Sequence, residues 1–360
     1  MKPLFCLLLC ISVYASINIP REIFVNAKSY YDAGYSFGRQ TRDFIKARFA
    51  DDKNLMEKML PFYNTPAGKK VFDHFVDVNS RRFPEYMEEL RGQADGADVP
   101  FPLVFMSTLS EEFSDYVSKE FAFTPVESCS DVIINEGQEV GICHNEDGSL
   151  IDFNRTSFLH QVITINNIVV SNFSSWCYAG QLPTAAFGFN NHIAMSMNYL
   201  HTAKGDFDGI ARNFIARYLL DATSYEDAWR RITETPHCVG HNYQVMDLTS
   251  GKVVDIEVAP FDRIGRFTAL PEHPHFHSNM YSLIIVDDTP SASSIHHEAR
   301  YKQLTPPRSF KEGMDVLSDV ADKVEPIYRP TTLNTALYDF HARKCVLYIG
   351  PPSENVILAE

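Results

Sequence analysis

Cys129 is the residue of this chain whose surroundings best suit a nucleophile. It lies in the triplet Ser128-Cys129-Ser130, directly before the β-branched run Asp131-Val132-Ile133-Ile134-Asn135. That run predicts a β-strand with the cysteine at its first position. We interpret Cys129 as a nucleophile that becomes a new N-terminus when the chain cuts itself between Ser128 and Cys129.

The chemistry of such a cysteine requires no distant histidine. Attack of the Cys129 thiol on the carbonyl carbon of Ser128 gives a thioester, and water then resolves the thioester to leave a free α-amine on Cys129. An α-amine titrates at about 7.7 to 8.0 in model peptides, so near neutral pH it can accept the thiol proton and later protonate a leaving amine. One residue then supplies both the nucleophile and the base.

A β-hairpin is predicted to bring further polar side chains to Cys129. The first strand ends in a turn signal that contains Gly137, and a second alternating strand follows it. A tight turn near Gly137 would pair residues whose numbers sum to about 273 or 274. This register places the region of His144, Asn145 and Asp147 beside Cys129.

Length and charge limit the classes of function. With 360 residues and 45% hydrophobic content, the chain can bury a large core in one big domain or two smaller ones. Its net charge of −14 and its isoelectric point near 5.4 argue against nucleic acid or an anionic membrane as the main partner.

The N-terminus resembles a secretory signal peptide. Residues 1–16 combine one positive charge, a short apolar stretch and a small-x-small end, which predicts cleavage near Ala15 or Ser16. No later segment approaches about 18 uninterrupted apolar residues, so no membrane anchor is predicted. The sequons at Asn154 and Asn172 are candidate glycosylation sites and agree with a secreted or lumenal protein.

Cysteine counting supports a free thiol. Two of the seven cysteines lie in the predicted signal peptide, and the remaining five leave at least one thiol unpaired in an oxidising compartment. We expect that thiol to be Cys129. A catalytic pair of Cys143 and His144 is disfavoured because neighbours on a strand point to opposite faces. The sequence leaves open the pairing of the other four cysteines: Cys143, Cys177, Cys238 and Cys345.

Alternating histidines raise the question of a metal site. On a strand, His273, His275 and His277 would present three imidazoles on one face, an arrangement that zinc could use. However, Pro274 interrupts the strand, and no carboxylate or cysteine pattern completes the ligand set. We therefore predict no metal ion and no cofactor.

The order of elements indicates the fold class. Residues from about 28 to 118 show the apolar spacing of helices, and alternating strands dominate after Cys129. Helices that cover stacked sheets, in an α+β domain, fit this order. The predicted strands are 157–165, 168–172, 185–189, 192–199, 242–246, 253–258 and 344–349, and the later helices lie at about 207–221, 225–233 and 297–304.

With Cys129 as the reference point, most of the chain resembles one enzyme family. It is similar to the acyl-coenzyme A:isopenicillin N acyltransferases and the animal β-alanyl-dopamine hydrolases, which are N-terminal-nucleophile cysteine hydrolases. The matching stretches are Tyr35-Ser36-Phe37-Gly38-Arg39, Cys129, His144-Asn145-Glu146-Asp147, Gly188-Phe189-Asn190, Ser196-Met197-Asn198-Tyr199, Gly240-His241-Asn242-Tyr243, Ser293-Ser294 with Arg300, and Leu347-Tyr348-Ile349-Gly350.

This resemblance implies the architecture and the processing. The expected fold has four layers, αββα, with a mainly helical N-terminal segment. Self-cleavage at Ser128-Cys129 would follow removal of the signal peptide (1–16) and give a helical α chain (17–128) and a β chain with the catalytic core (129–360), which stay together. The family usually has glycine before the nucleophile, so Ser128 departs from its pattern.

The resemblance also implies roles for individual residues. Asp147 would hold and orient the new α-amine of Cys129. Asn242 corresponds to the asparagine whose amide donates to the tetrahedral oxyanion, and the second donor would be a backbone N–H near Asn198 or Tyr199.

Weaker correspondences complete the predicted site. His144 stands where the bile salt hydrolases, which the family resembles more distantly, have an arginine. Arg300, or as a second choice His297, would be the other polar contact near the amine, and Asn145 is a further candidate for substrate or oxyanion contact.

These observations predict a self-processing, secreted cysteine amidohydrolase. It would cleave small N-acyl amines, including β-alanyl conjugates of biogenic amines, through an acyl-enzyme on Cys129. One alternative is acyl transfer from a thioester or amide donor to an amine. Another is a non-catalytic binding protein of the same fold, which would keep an uncut chain and an inert Cys129. The oligomeric state, including a homo-oligomer, stays open.

Overall fold

A computed structural model describes most of the chain. The predicted signal peptide (1–16), Ser128 and His273 lie outside the described residues. Within those residues, no helix combines the length and the apolar character needed to cross a membrane. The described ranges are 19–117, 129–183, 186–271, 274–288, 290–354 and 358–359.

The described strands form two β-sheets. They are β1 (Arg21–Ala27), β2 (Ser130–Glu136), β3 (Glu139–Asp147), β4 (Thr156–Ile165), β5 (Ile168–Tyr178), β6 (Phe187–Phe189), β7 (Ile193–Leu200), β8 (Gly240–Asp247), β9 (Val253–Ala259), β10 (Arg263–Thr268), β11 (His275–His277), β12 (Thr332–Asp339), β13 (Lys344–Tyr348) and β14 (Leu358–Ala359). The first sheet has the order β1-β4-β5-β6-β7-β8-β9-β10, and the second has the order β11-β2-β3-β12-β13-β14.

Helices precede and interrupt the strands. They are α1 (Tyr30–Gln40), α2 (Arg42–Asp51), α3 (Leu60–Tyr63), α4 (Pro66–Arg82), α5 (Pro84–Ala97), α6 (Phe101–Thr108), α7 (Ser110–Val117), α8 (Arg212–Leu219), α9 (Tyr225–Thr233), α10 (Ala292–Tyr301) and α11 (Phe310–Leu317). Several of them begin at a hydroxyl side chain that accepts a hydrogen bond from the first turn, which satisfies an otherwise unpaired backbone N–H. These capping residues are Ser29, Thr65, Ser224, Ser291 and Ser309.

Three hydrophobic clusters separate four layers. The first joins the outer face of the first sheet to helices α1–α9, as Met195 and Phe214 illustrate. The second lies between the two sheets and includes Ile142 and Trp176. The third joins the second sheet to the helical layer of α10 and α11 and includes Leu317. The helix-sheet-sheet-helix order confirms the predicted α+β class and its four layers.

The segment before Cys129 is part of the same core. Its strand β1 pairs in parallel with β4, from Arg21 opposite Ser157 to Ala27 opposite Ile163. The segment predicted to be mainly helical, 17–128, thus supplies both a helical layer and an edge strand of the first sheet.

Most predicted element positions agree with the structure. The seven predicted strands after the hairpin coincide with β4–β9 and β13, and α9 has the predicted bounds. The helix predicted at about 207–221 begins only at Arg212, because a turn from Asp206 to Gly209 precedes it. The helix predicted at 297–304 is displaced to Ala292–Tyr301.

Candidate active site

The β2–β3 hairpin determines which residues lie opposite Cys129. Its two strands are antiparallel with Ser130 opposite Asn145, and the turn between them begins at Gly137, whose φ is +58°. Paired residue numbers therefore sum to 275, and the predicted sum of 273 or 274 is wrong, because the two turn residues are Gly137 and Gln138 and the turn is not centred on Gly137. Continued by one pair, the observed register places Glu146 opposite Cys129.

Cys129 is buried immediately before β2. The residue is 4% exposed, and its Sγ lies 3.3 Å from Oε2 of Glu146. Its backbone N–H donates to Oδ1 of Asn279 over 2.6 Å, and the amide of Asn279 donates in turn to the backbone carbonyl of Tyr199 over 2.8 Å. Both reactive atoms of Cys129 thus have polar partners from distant parts of the chain.

A row of hydrogen-bonded, ionisable side chains extends from the thiol. Nε2 of His144 lies 3.0 Å from Oε2 of Glu146, and Nδ1 of His144 lies 2.9 Å from Oδ1 of Asp131. The other carboxylate oxygen of Glu146 accepts a hydrogen bond from the hydroxyl of Tyr178. All four side chains are buried. The arrangement connects the thiol, through Glu146 and His144, to Asp131.

The electrostatics of this row of side chains favour the ionised forms of His144 and Asp131. Burial alone would lower the pKa of His144, but the charge of Asp131 and the hydrogen bonds to Asp131 and Glu146 outweigh it and raise the pKa to about 10. Burial alone would raise the pKa of Asp131, yet its interactions with His144 and with the hydroxyl of Ser196 hold that pKa below its usual value. At neutral pH His144 is therefore a cation between two carboxyl groups.

Asn242, the predicted oxyanion donor, and Asn198, near the predicted backbone donor, belong to the same network. Asn198 donates to Asp131 and, over 3.3 Å, to Oδ1 of Asn242. Asn242 donates through its own Nδ2 to Asp255 and accepts from Gln244 over 2.9 Å. The structure thus brings Asn198 and Asn242 together on the inner face of the first sheet, with their amides directed into the network.

Asp147 and Asn145 lie on the other face of β3. Oδ1 of Asp147 accepts from Thr332 over 2.5 Å, and its Oδ2 is buried without a hydrogen-bond partner. Asn145 donates to the backbone carbonyl of Leu317 over 2.8 Å and accepts from Thr335. Because successive side chains of a strand alternate, the structure directs His144 and Glu146 toward the thiol and these two residues away from it.

Burial raises the pKa of Asp147 to about 7. Its protonation therefore changes close to neutral pH, although Asp147 faces away from Cys129. The predicted contact between Asp147 and the new amine is not present in this arrangement of the uncut chain.

The structure does not bring Arg300 to Cys129. Its guanidinium forms two hydrogen bonds to the carboxylate of Asp319, at 2.9 and 2.7 Å, on the outer helical layer. The second choice, His297, is buried on the face of the second sheet that points away from the thiol: its Nδ1 lies 3.2 Å from the hydroxyl of Ser130, which pairs with Asn145, and its Nε2 lies 2.8 Å from the carbonyl of Pro326. Burial lowers the pKa of His297 to about 4, so it is neutral at pH 7.

The sequence assigned no catalytic or binding role to four residues of this site. Asp131 and Glu146 share the thiol's face of the hairpin, and strand alternation from Cys129 would have identified both once the register was known. Tyr178 and Asn279 are distant in sequence and carry no local signal. Their contacts arise from the packing of the two sheets.

Two groups of buried side chains have the chemistry of metal ligands within the described residues. They are Cys129 with His144 and Glu146, and Asp255 with Glu257 and His277, and within each group the ligand atoms lie within 4.8 Å of one another. In the second group, the backbone N–H groups of Ser282, Leu283 and Ile284 already donate to the Glu257 carboxylate. Of the predicted histidine triad, His275 and His277 lie on β11 and contact Asp255 and Asn198.

Comparison with known proteins places the chain in a family. Residues 134–354 match the family model described as acyl-coenzyme A:6-aminopenicillanic acid acyl-transferase. The chain is 27% identical over 357 residues to the β-alanyl-dopamine/carcinine hydrolase of Drosophila melanogaster, with 91% of this chain and 92% of the relative covered. It also resembles the solved structure of a Caenorhabditis elegans ortholog of N-acylethanolamine-hydrolyzing acid amidase, with a TM-score of 0.42, 15% identity, and 59% of this chain and 93% of that chain covered. The match over residues 134–354 confirms the resemblance predicted from the motifs, and the chain belongs to the acyl-coenzyme A:6-aminopenicillanic acid acyl-transferase family.

Proposed function

We propose that this protein cuts itself between Ser128 and Cys129 and then uses Cys129 to hydrolyse the amide bond of small N-acyl amines. The observation that carries the proposal is the position of Cys129: its thiol faces a buried polar network between two sheets, and its backbone nitrogen is held by Asn279. A cysteine whose nitrogen and sulphur are both fixed by polar partners is suited to serve as base and nucleophile in one residue.

The proposed reaction has two stages after self-cleavage. The α-amine of Cys129 takes the thiol proton, the thiolate attacks the amide carbonyl, and the amine product leaves with that proton. Water then hydrolyses the thioester. The proposed donors to the tetrahedral oxyanion are Asn242 and a group near Asn198, which lie in one hydrogen-bonded network. Loss of one such donor costs on the order of a hundredfold in turnover.

The proposed substrates are β-alanyl conjugates of biogenic amines. Support comes from the relative in Drosophila melanogaster, whose name is β-alanyl-dopamine/carcinine hydrolase and which matches almost the whole chain. The second candidate function is acyl transfer to an acceptor amine, because the matching family model is described as an acyl-transferase. Both functions use the same acyl-enzyme and differ in the molecule that resolves it.

We also propose a secretory route for the protein. The two predicted sequon asparagines, Asn154 and Asn172, are both exposed, so glycans could be attached there without disturbing the core. Digestion with a glycosidase should lower the mass of protein purified from a eukaryotic host, and an unchanged mass would contradict the proposal.

The activity is tested by incubating the processed protein with β-alanyl-dopamine and measuring free dopamine. Release is expected from the wild type and not from Cys129→Ala, while Cys143→Ala, a buried cysteine on the opposite face of β3, should retain it. Wild-type release no faster than that of Cys129→Ala would contradict the proposal. Added histamine separates the two functions, because a transferase would form a new β-alanyl conjugate detectable by mass.

A further inference from the structure

The carboxylate of Glu146 lies against the sulphur that would carry the acyl group. Its Oε2 is 3.3 Å from Sγ of Cys129, and it is held there by the hydroxyl of Tyr178 and the imidazole of His144. In a β-amino acyl group the terminal nitrogen is at most about 4 Å from the carbonyl carbon by standard bond lengths. An ammonium on such a short acyl group can therefore reach Glu146 while its carbonyl carbon is bonded to Sγ.

We propose that Glu146 binds an ammonium group on the acyl half of the substrate, so that the enzyme selects short acyl groups that carry a primary amine. This inference rests on the proposed function and specifies the acyl half of its substrate. It assigns to Glu146 a role in specificity, in addition to its position beside the nucleophile.

The charges around the thiol provide the physical reason. A carboxylate next to a thiol opposes ionisation of that thiol, since two like charges would then share a buried site. An ammonium that binds Glu146 close to the sulphur reduces this repulsion when the thiolate forms. A neutral acyl group of the same size leaves the repulsion in place, so it is bound less well and attacked more slowly.

The imidazole of His144 alone cannot neutralise both of the carboxylates that it contacts. His144 lies between Asp131 and Glu146, and when its imidazole is protonated the three side chains together still carry one excess negative charge. Burial strengthens the attraction of such a site for a cation. These three side chains also form hydrogen bonds with Cys129, Tyr178, Ser196 and Asn198.

The test compares two amides of the same amine, one β-alanyl and one butanoyl, in which a methyl group replaces the ammonium. Wild type should hydrolyse the β-alanyl amide with a kcat/KM about 100-fold higher, as expected for a lost hydrogen bond to a charged group. Glu146→Gln should remove most of this preference, because kcat/KM falls for the β-alanyl amide and does not fall for the butanoyl amide, whose attack no longer meets the repulsion between the carboxylate and the thiolate. Glu136→Gln, the same change at the far end of the hairpin, should leave the preference intact.

A shorter carboxylate provides an independent variant. Glu146→Asp withdraws the charge by one methylene group, so the preferred charged substrate should shift from the β-alanyl to the γ-aminobutyryl amide. All variants are compared as processed protein, with the new N-terminus at Cys129 verified by sequencing. If Glu146→Gln is not processed, Glu146→Asp shows whether the carboxylate selects the acyl group.

The outcomes separate this inference from the proposed function. Equal rates for the charged and neutral amides in wild type would overturn the inference while leaving amide hydrolysis in place. A similar loss for both amides in Glu146→Gln would also overturn it, because Glu146 would then act as a proton acceptor for the thiol. If wild type hydrolyses neither amide, the proposed function itself fails.

Discussion

The contact between Cys129 and Asn279 is the most informative single interaction of the site. The nitrogen that donates to Asn279 over 2.6 Å is the atom that self-cleavage would convert into the catalytic amine. Asn279 also donates to the carbonyl of Tyr199, so its side chain is held from both ends. It can therefore orient the amine relative to the thiol without touching the substrate.

Asn279→Ala should lower kcat of the processed enzyme about 10-fold with little change in KM, because a displaced catalytic group slows the reaction without weakening binding. Steady-state kinetics on the β-alanyl amide provide the measurement. Asn191→Ala, in the exposed turn before β7, is the matched control. An unchanged kcat in Asn279→Ala would exclude a positioning role.

The raised pKa of His144 predicts a pH-dependent stability. Its folded-state pKa of about 10 lies above the usual 6.5, so its interactions with Asp131 and Glu146 stabilise the protein fully below pH 6.5 and are lost as the pH rises through 10. Between these limits the free energy of unfolding should fall by up to about 1.4 kcal/mol per pH unit more in wild type than in His144→Gln.

Denaturant titrations from pH 6 to 10 measure this difference. The exposed His192 gives the control, since His192→Gln should follow the wild-type pH profile. A constant gap between wild type and His144→Gln at every pH would contradict the assigned charge of His144.

At the scale of elements, α1 and α5 pack unusually closely. A Cβ added at Gly38 of α1 would lie 2.2 Å from the carbonyl oxygen of Gln93, and one added at Gly96 of α5 would lie 2.2 Å from the carbonyl oxygen of Tyr35. Backbone atoms cannot move aside as flexible side chains can. The two helices therefore depend on glycine at their contact, and this pair supports one end of the first sheet.

Gly38→Ala should destabilise the protein by about 3 kcal/mol, because the added methyl group forces the two helices apart. Gly137→Ala is a useful comparison: its φ is +58° but a Cβ there meets no atom within 4 Å, so only about 1 kcal/mol of backbone strain is expected. Thermal or denaturant unfolding would measure both. The opposite order of destabilisation would contradict the close packing of α1 and α5.

The sequence predicted elements well where one local pattern dominates. The alternation in β4 and β7 and the capped amphipathic helix α9 are visible in single stretches of sequence. Strand β1 was missed because it is a short strand directly before the helical segments and its partner, β4, is more than a hundred residues away. Strands β10 to β12 and helix α11 are short or lack a clear period.

The candidate site was predicted in composition but not in register. Cys129 and the run from His144 to Asp147 were identified, yet a hairpin shifted by one residue exchanges the two faces of a strand. Glu146 therefore lies opposite Cys129, at the position where the predicted register placed its neighbours in the run. The contacts of Asn279 and Tyr178 depend on how the two sheets pack, which no local pattern encodes.

At the scale of the whole molecule, the segment before Cys129 is joined to the rest by more than the peptide chain. Strand β1 completes the edge of the first sheet, and the first seven helices share its hydrophobic cluster. We expect the two chains to stay together after self-cleavage, to elute as one species in native gel filtration and to separate only in denaturant.

Val25→Asp tests this association, since Val25 is 1% exposed and a buried charge there would weaken the docking of β1. Phe24→Asp, at the neighbouring position with 60% exposure, is the control. Loss of the smaller chain from processed wild type under native conditions would contradict the shared core.

Intact mass and N-terminal sequencing of the purified protein show whether Cys129 becomes an N-terminal nucleophile. We predict two chains from wild type, one of which begins Cys129-Ser130-Asp131, and a single uncut chain from Cys129→Ala. A folded wild-type protein that remains one chain would contradict the account, because the catalytic α-amine would not exist and the fold would then serve binding instead of catalysis.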